Sequence, residues 1–244
     1  MLAIMLKIKC ITNLHVGNGD VNYNIIDNEV EKDPVTCYPM INASGVKGAM
    51  REHFSKSRRL SSKDVDNIFG SESSGQTTSG KLKFLDADML TIPMRASSGD
   101  SAYYLVSTNK ALDRYVKYCK IFFGNDTMYL EQDEKIQGKS VEGVALAKKT
   151  LLLDEEIYLI SDNEFKGIPL PVVARNKLEN GISKNLWYEE IVPHESVFYF
   201  PVIAGDEDKE LLEKFRNAVD SQVIQFGANA SIGYGLCMVT VVEG

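Results

Sequence analysis

Four pieces of the sequence carry residue types that could act together on a phosphate chain. The first is a glycine loop, His15-Val16-Gly17-Asn18-Gly19-Asp20, where a histidine stands beside bare backbone that a ligand can approach. The second is a single acid, Asp27, in the polar stretch that follows. The third, Ser44-Gly45-Val46-Lys47-Gly48-Ala49-Met50-Arg51, reads as a helix start. Free amides at a helix N-terminus, with two cations four residues apart, suit an anion. The fourth runs from Phe226 to Gly235, and Gly227, Gly233 and Gly235 would let backbone meet a second phosphate stretch. Each piece is also a common structural device, a helix cap or a glycine-rich turn, so spacing alone leaves both readings open.

Other chemistries find no matching pattern. Gly75 to Lys81 follows a Walker A loop, then places Leu82 where a hydroxyl must meet magnesium. It also precedes a strand instead of opening a helix, so the segment 71–80 is expected to be a flexible loop. Asn22 stands where a dinucleotide fingerprint beginning Gly17-Asn18-Gly19 needs its third glycine. His15, His53 and His194 are too scattered for a histidine metal site, and no GxSxG marks a hydrolase nucleophile. His53 reads as a surface residue and His194 as part of a turn after Pro193. The cysteines Cys10, Cys37, Cys119 and Cys237 form no CxxC pair, which argues against a zinc knuckle and for a reduced, cytoplasmic chain.

The elements that must position these residues belong to an ordinary globular chain. Its 244 residues, 44% hydrophobic and 25% charged, exclude a disordered or collagen-like class and fit one large domain or two small ones. The N-terminus is apolar but cut by Lys7 and Lys9, unlike a signal peptide, and the uncharged run 221–242 carries glutamines and glycines unsuited to a membrane span. The net charge of −7 argues against nucleic acid, yet residues 47–63 hold six bases against one acid, whereas residues 125–165 hold ten acids against four bases. One basic face on an acidic molecule and two solvated surfaces both fit this distribution.

Alternation over 2–10 predicts a half-buried strand. Val46, Ala49, Met50 and Phe54 predict a helix capped by Asn42 or Ser44. Strands are expected at 81–89, 103–107, 197–204 and 236–242, and helices at 109–122 and 207–219. Asn180-Gly181 between apolar runs predicts a projecting hairpin over about 172–190. Without its insertions, at about 56–80 and 122–192, the order is βαββαβ: an α+β, ferredoxin-like plan that RNA-recognition domains also use and whose sheet commonly exposes one face.

The segments LHVGNG (14–19), YPMINASGVKGAMREHF (38–54), FG (69–70), GKLKFLDADMLTIPMRA (80–96), NLWYEEIVP (185–193) and FGANASIGYG (226–235), in that order, resemble the RAMP superfamily of CRISPR proteins. Within it they are most similar to the repeating backbone subunit of Cmr-type (type III-B) effector complexes. The likeness covers most of residues 1–242. It implies a single modified ferredoxin-like domain over 1–244 that stacks in copies along a CRISPR guide RNA, with other subunits of the complex. Its hairpin would be a thumb that wedges between guide and target at intervals. It also implies a divalent-metal-dependent endoribonuclease, with magnesium or manganese, that cuts the target RNA beside each wedge. By this likeness Asp27 is the catalytic and metal-binding acid and His15 the family histidine. Ser44, Lys47 and Arg51 match the guide-backbone helix. The chain departs from the family pattern at Ala228, Ser231 and Tyr234, and in Asn28-Glu29 after Asp27.

RNA supplies its own nucleophile, the 2′-hydroxyl, so a thin site suffices: one carboxylate for a hydrated metal or a proton, and a nearby histidine. Glu189 at the hairpin base is a further catalytic candidate, although Glu189-Glu190 also reads as a solvated pair. Arg175 and Trp187, with Lys177, Lys184 and Tyr188, give the hairpin cations and aromatic faces for RNA. The alternatives are a non-catalytic guide-binding backbone subunit, the type III-A counterpart, a guide-processing endoribonuclease and a metabolic enzyme of ferredoxin-like fold.

Overall fold

Leu6, Ile8 and Cys10 recur at every second residue of the opening strand, Leu2–Cys10, and all three are fully buried on one face of a large mixed sheet. The architecture comes from a computed structural model, which describes residues 1–19, 25–73, 76–124, 131–135, 137–146 and 148–242. The readings that involve Asp20, Asn22 and Gly75 lie outside the described residues. The opening strand pairs antiparallel with Val197–Ala204 on one side and with Leu236–Val242 on the other. Beyond Val197–Ala204 comes Ala87–Ser98, also antiparallel. The sheet then continues through Tyr103–Ser107, Glu155–Leu159, Lys148–Leu152 and Glu131–Lys135, and at its other edge lies Gln222–Gln225.

Three helices cover one face. The first, Ala43–Ser57, buries Val46, Met50 and Phe54. Ser62–Phe69 adds Val65, Ile68 and Phe69, and Lys209–Val219 adds Leu212 and Phe215. Their aromatic rings interlock: Phe69 stacks on Phe84 at 5.3 Å and meets Phe215 edge-on at 6.1 Å. The other face is not bare, as the plan had suggested. Helix Asn109–Phe123 lays Leu112, Tyr115 and Cys119 over Met5, Leu90 and Tyr199, with Tyr115 edge-on to Tyr199 at 4.9 Å. Lys7 and Lys9, expected in solvent, meet Glu155 at 2.8 and 2.9 Å on this side.

The segment 71–80 is a correction. Gly70–Ser73 and Gln76–Ser79 pair as a hairpin, with Gly70 opposite Ser79 and Ser71 opposite Thr78. Its Ser and Thr residues read as low complexity, but Thr77 and Thr78 are β-branched and suit an extended ladder, and strand Gln76–Ser79 is exposed throughout. The strand expected at 81–89 splits into Lys83–Phe84 and a longer run, Ala87–Ser98. The helix Ser62–Phe69 was not anticipated, although Ser61 caps it by accepting from the Asp64 amide at 3.1 Å. Cys10 and Cys237, distant in sequence, sit directly opposite each other as free thiols, 3.8 Å apart. No helix among the described residues is long and apolar enough to cross a membrane.

Candidate functional site

The hairpin forms from Val172–Glu179 and Ile182–Glu190, longer than the apolar runs alone suggested. Its turn is made by Asn180 (φ 52°) and Gly181 (φ 78°), the left-handed pair that a tight hairpin requires. At its root the second strand takes on a further partner. The amides of Asp27 and Asn28 both donate to the Tyr188 carbonyl at 3.0 and 3.1 Å, and the Glu190 amide donates to the Asn28 carbonyl at 2.9 Å. The Tyr188 amide donates in turn to Asp27 Oδ2 at 2.7 Å. Asp27 is therefore exposed but fixed: one carboxylate oxygen is used to hold it on the hairpin strand, and among the described residues Oδ1 has no partner.

The glycine loop docks against the same segment. The Glu31 amide donates to the Val16 carbonyl at 2.7 Å and the Asn18 amide to the Glu29 carbonyl at 3.2 Å. His15 is 5% exposed, so the histidine beside the loop is a buried group and not one presented to solvent. Its Nδ1 lies 2.7 Å from the Glu190 carbonyl oxygen, and Nε2 lies 3.7 Å from Glu189 Oε1. Its own carbonyl accepts from the Ala228 amide at 2.9 Å. That approach explains Gly227, at φ 67°: a Cβ there would run into the His15 carbonyl.

Glu189 and Glu190 correct the solvated-pair reading, because both are buried. Their side chains leave opposite faces of the strand, and each is matched by a cation there. Glu190 pairs with Lys32 at 3.0 Å and accepts from the Val30 amide at 3.1 Å. Glu189 pairs with Arg175 Nε at 3.0 Å and takes both of its oxygens to Asn229 Nδ2, at 2.8 and 2.9 Å. The Arg175 guanidinium lies over the Tyr234 ring, 4.5 Å from its centre. Arg175 was expected to present a charge to RNA, but Glu189 already neutralises it. Trp187, directly across the ladder from Arg175, is half-buried.

The first helix stands apart. Asn42 is its cap, accepting from the Gly45 amide at 2.9 Å, and Asp86 takes the Ala43 amide at 2.7 Å. The Ala43 and Gly45 amides, expected to be free for an anion, are thus in use, and a carboxylate sits at the helix mouth. Ser44, Lys47 and Arg51 line a groove of about 500 Å³ between this helix and the hairpin 70–79. The other flank of the helix, with Gly45, Ala49, Glu52 and His53, faces Gly227 and Ala230 across a second cavity of about 630 Å³. His53 is half-buried, with no hydrogen-bond partner for Nε2 among the described residues; burial first, and Arg59 second, hold its pKa below the usual histidine value.

The structure therefore brings together His15, Asp27, Glu189, Arg175 and Gly227 at the hairpin root. Ser44, Lys47 and Arg51 stand on a separate surface. Gly233 (φ 82°) and Gly235 (φ 74°) shape the far end of the glycine turn, whose backbone meets the opening loop where the Gly235 amide donates to the Asn13 carbonyl at 2.7 Å. Asn229, Tyr234, Lys32 and Glu190 were missed. The parity of Arg175 and Glu189, on one face of paired strands, was a signal for the ion pair; nothing local pointed to Asn229 or Tyr234.

The sequence profile of the RAMP superfamily matches residues 7–238. The chain is 22% identical over 286 residues to a protein named CRISPR system Cmr endoribonuclease Cmr4, from Pyrococcus furiosus, covering 100% of this chain and 97% of that one. In fold it is similar to a chain of the type III-B Cmr-beta complex bound to cognate target RNA, with a TM-score of 0.81 at 19% identity, over 99% and 97% of the two chains. It is also similar to oligomeric Cmr4 from Pyrococcus furiosus, with a TM-score of 0.72 at 19% identity, over 100% and 99%. The glycine loop, the first helix, the hairpin and the glycine turn all fall within the matched residues, and the chain belongs to the RAMP superfamily.

Proposed function

We propose that the chain is a repeating backbone subunit of a type III-B CRISPR effector, which binds guide RNA and cuts the complementary target RNA at regular intervals. Full-length similarity to an endoribonuclease, and a fold like that of a chain in a target-bound complex, support this reading. The observation that carries it is Asp27: an exposed carboxylate that accepts from the Tyr188 amide, while the Asp27 and Asn28 amides donate to the Tyr188 carbonyl, at the root of a projecting hairpin. In this reading Leu236–Val242, the opening strand, Val197–Ala204 and Ala87–Ser98, side by side in that order, are the fourth, first, third and second strands of a ferredoxin-like core. The hairpin is the thumb, the whole chain is one domain, and the work is done in the cytoplasm. The partners are guide RNA, target RNA, further copies of the chain and other subunits of the complex.

The chemistry needs little from the protein. A nucleotide splayed beside the hairpin offers its 2′-hydroxyl in line with the next phosphate; attack closes a 2′,3′-cyclic phosphate while the 5′-oxygen of the following nucleotide leaves and takes a proton from water. Asp27 takes the proton or orients the hydroxyl, and the buried His15 holds the glycine loop in place. Among the described residues no cluster of three or more His, Cys, Asp or Glu could grip a bare metal ion. The donor set still fits a magnesium or manganese ion that keeps most of its waters, held by Asp27 Oδ1 and by phosphate oxygens of the substrate. Such an ion, when bound, would neutralise charge on the phosphate. The test is a guide-loaded complex given a labelled target and magnesium, with EDTA in parallel. Cutting at regular steps that EDTA stops is expected, and binding without cutting would favour a non-catalytic backbone.

A further inference from the structure

We infer that Glu189 is a positioning residue: with Arg175, Asn229 and Tyr234 it clamps the root of the hairpin to the glycine turn and so fixes where Asp27 stands. The inference rests on the reading of Asp27 given above. Glu189 is 4% exposed, and both oxygens are engaged by Asn229, with Arg175 on Oε2 as well. A buried carboxylate so occupied cannot reach a scissile phosphate unless the site comes apart. Its partners come from two segments that are otherwise separate. Arg175 is on the first hairpin strand, and Asn229 and Tyr234 are on the glycine turn.

The clamp is stiff for identifiable reasons. Asn229 sits at φ 64°, opening the short turn Ala230–Ile232, and its carbonyl accepts from the Tyr234 amide at 3.3 Å. Tyr234 then offers its ring face to the guanidinium whose Nε is bound to Glu189. The loop of contacts closes on itself: Glu189 to Asn229, Asn229 to Tyr234, Tyr234 to Arg175, Arg175 to Glu189. Next to Glu189 in the chain is Tyr188, which carries all three hydrogen bonds to Asp27 and Asn28. A shift of the root thus passes to the Asp27 carboxylate through a single residue. The ring, not the hydroxyl, of Tyr234 serves the guanidinium.

Trp187 is the one tryptophan in the chain and lies directly opposite Arg175, so its emission reports the root without any RNA. Glu189→Ala leaves Arg175 without its partner and so confounds folding with positioning; the informative variants are therefore Asn229→Ala, Tyr234→Leu and Tyr234→Phe in the full chain, with circular dichroism as the folding control. Asn229→Ala and Tyr234→Leu should shift Trp187 emission. In the guide-loaded complex they should lower kcat for target cutting by about tenfold to 100-fold, the effect of a misplacement near 1 Å, with KM unchanged. Tyr234→Phe should match the wild type in both measurements. Wild-type emission from Asn229→Ala and Tyr234→Leu, or a Tyr234→Phe variant as impaired as Tyr234→Leu, overturns the clamp. If the wild-type complex itself fails to cut, the reading of Asp27 falls, and the emission of the free chain still decides the clamp.

Discussion

The hairpin root and the outer flank of the first helix handle charge in opposite ways. At the root, Glu189 and Glu190 are buried and each is matched to a cation within 3.0 Å. On the flank, Lys47 and Arg51 line an open groove and have no acidic partner among the described residues. Buried pairs lose hydration and return geometry, because removing either partner strands the other. Cations that line an open groove return reach, attracting a polyanion over a Debye length of roughly 10 Å, and they are weakened by salt. Chemistry that depends on where one carboxylate stands belongs at the first kind of site. Capture of a phosphate chain belongs at the second. This division also explains how a chain of net charge −7 can hold RNA: its acids are spread elsewhere or neutralised where they are buried.

The largest separation of the two regions should come from Asp27→Asn. The amide keeps an oxygen for the Tyr188 amide and loses the charge, so the root stays in place while target cutting falls on the order of 1,000-fold, within the range for a lost acid–base group. Filter binding of guide and target should be unchanged; a variant that cuts normally places the chemistry elsewhere. Glu189→Ala should act on the fold itself. Leaving Arg175 without its partner should cost about 3 kcal/mol, read as a lower midpoint in urea unfolding. Equal stability to wild type would show that the buried pair is dispensable.

A smaller effect is expected on the flank. Lys47→Ala with Arg51→Ala should leave cutting of bound target intact while reducing the slope of log affinity against log salt by about two units, close to one for each lost phosphate contact. An unchanged slope would remove this groove from the RNA path. The smallest expected change is Asn42→Ala, at about 1 kcal/mol of stability with no change in salt dependence, because the Asn42 side chain is uncharged and its Oδ1 is already taken by the Gly45 amide. A loss of RNA affinity in that variant would restore the helix mouth as an anion site.

Much of the frame was legible because its signals are local. The alternation in Leu2–Cys10, the apolar stripe of the first helix and the Asn180-Gly181 turn each specify an element without help from the rest of the chain. Tyr103–Ser107, Val197–Ala204 and Leu236–Val242 lie where the pattern placed them. The acidic stretch after Phe123 was opaque because its strands, such as Lys148–Leu152, mix charged and apolar residues and are defined by their neighbours in the sheet. The gathering of His15, Asp27 and Gly227 followed from chain order and resemblance. The occupancy that matters did not: whether Arg175 serves RNA or Glu189, and whether the Ala43 and Gly45 amides are free, depends on contacts made across the whole chain. Asn229 and Tyr234 gain their roles only once the glycine turn meets the hairpin.

The opening strand has a further consequence, for the order in which the chain can fold. Its two ladder partners are Val197–Ala204 and Leu236–Val242, far downstream, so the opening strand cannot close its sheet until residues through 242 have been made. Until then Leu6, Ile8 and Cys10 are an unpaired apolar edge, the kind of surface that binds holdase chaperones and associates with its own copies. The glycine loop and the glycine turn flank these same strands, so the site reaches its final form last. A nascent chain released before residue 226 would carry the hairpin but lack Asn229 and Tyr234, the glycine-turn half of the clamp.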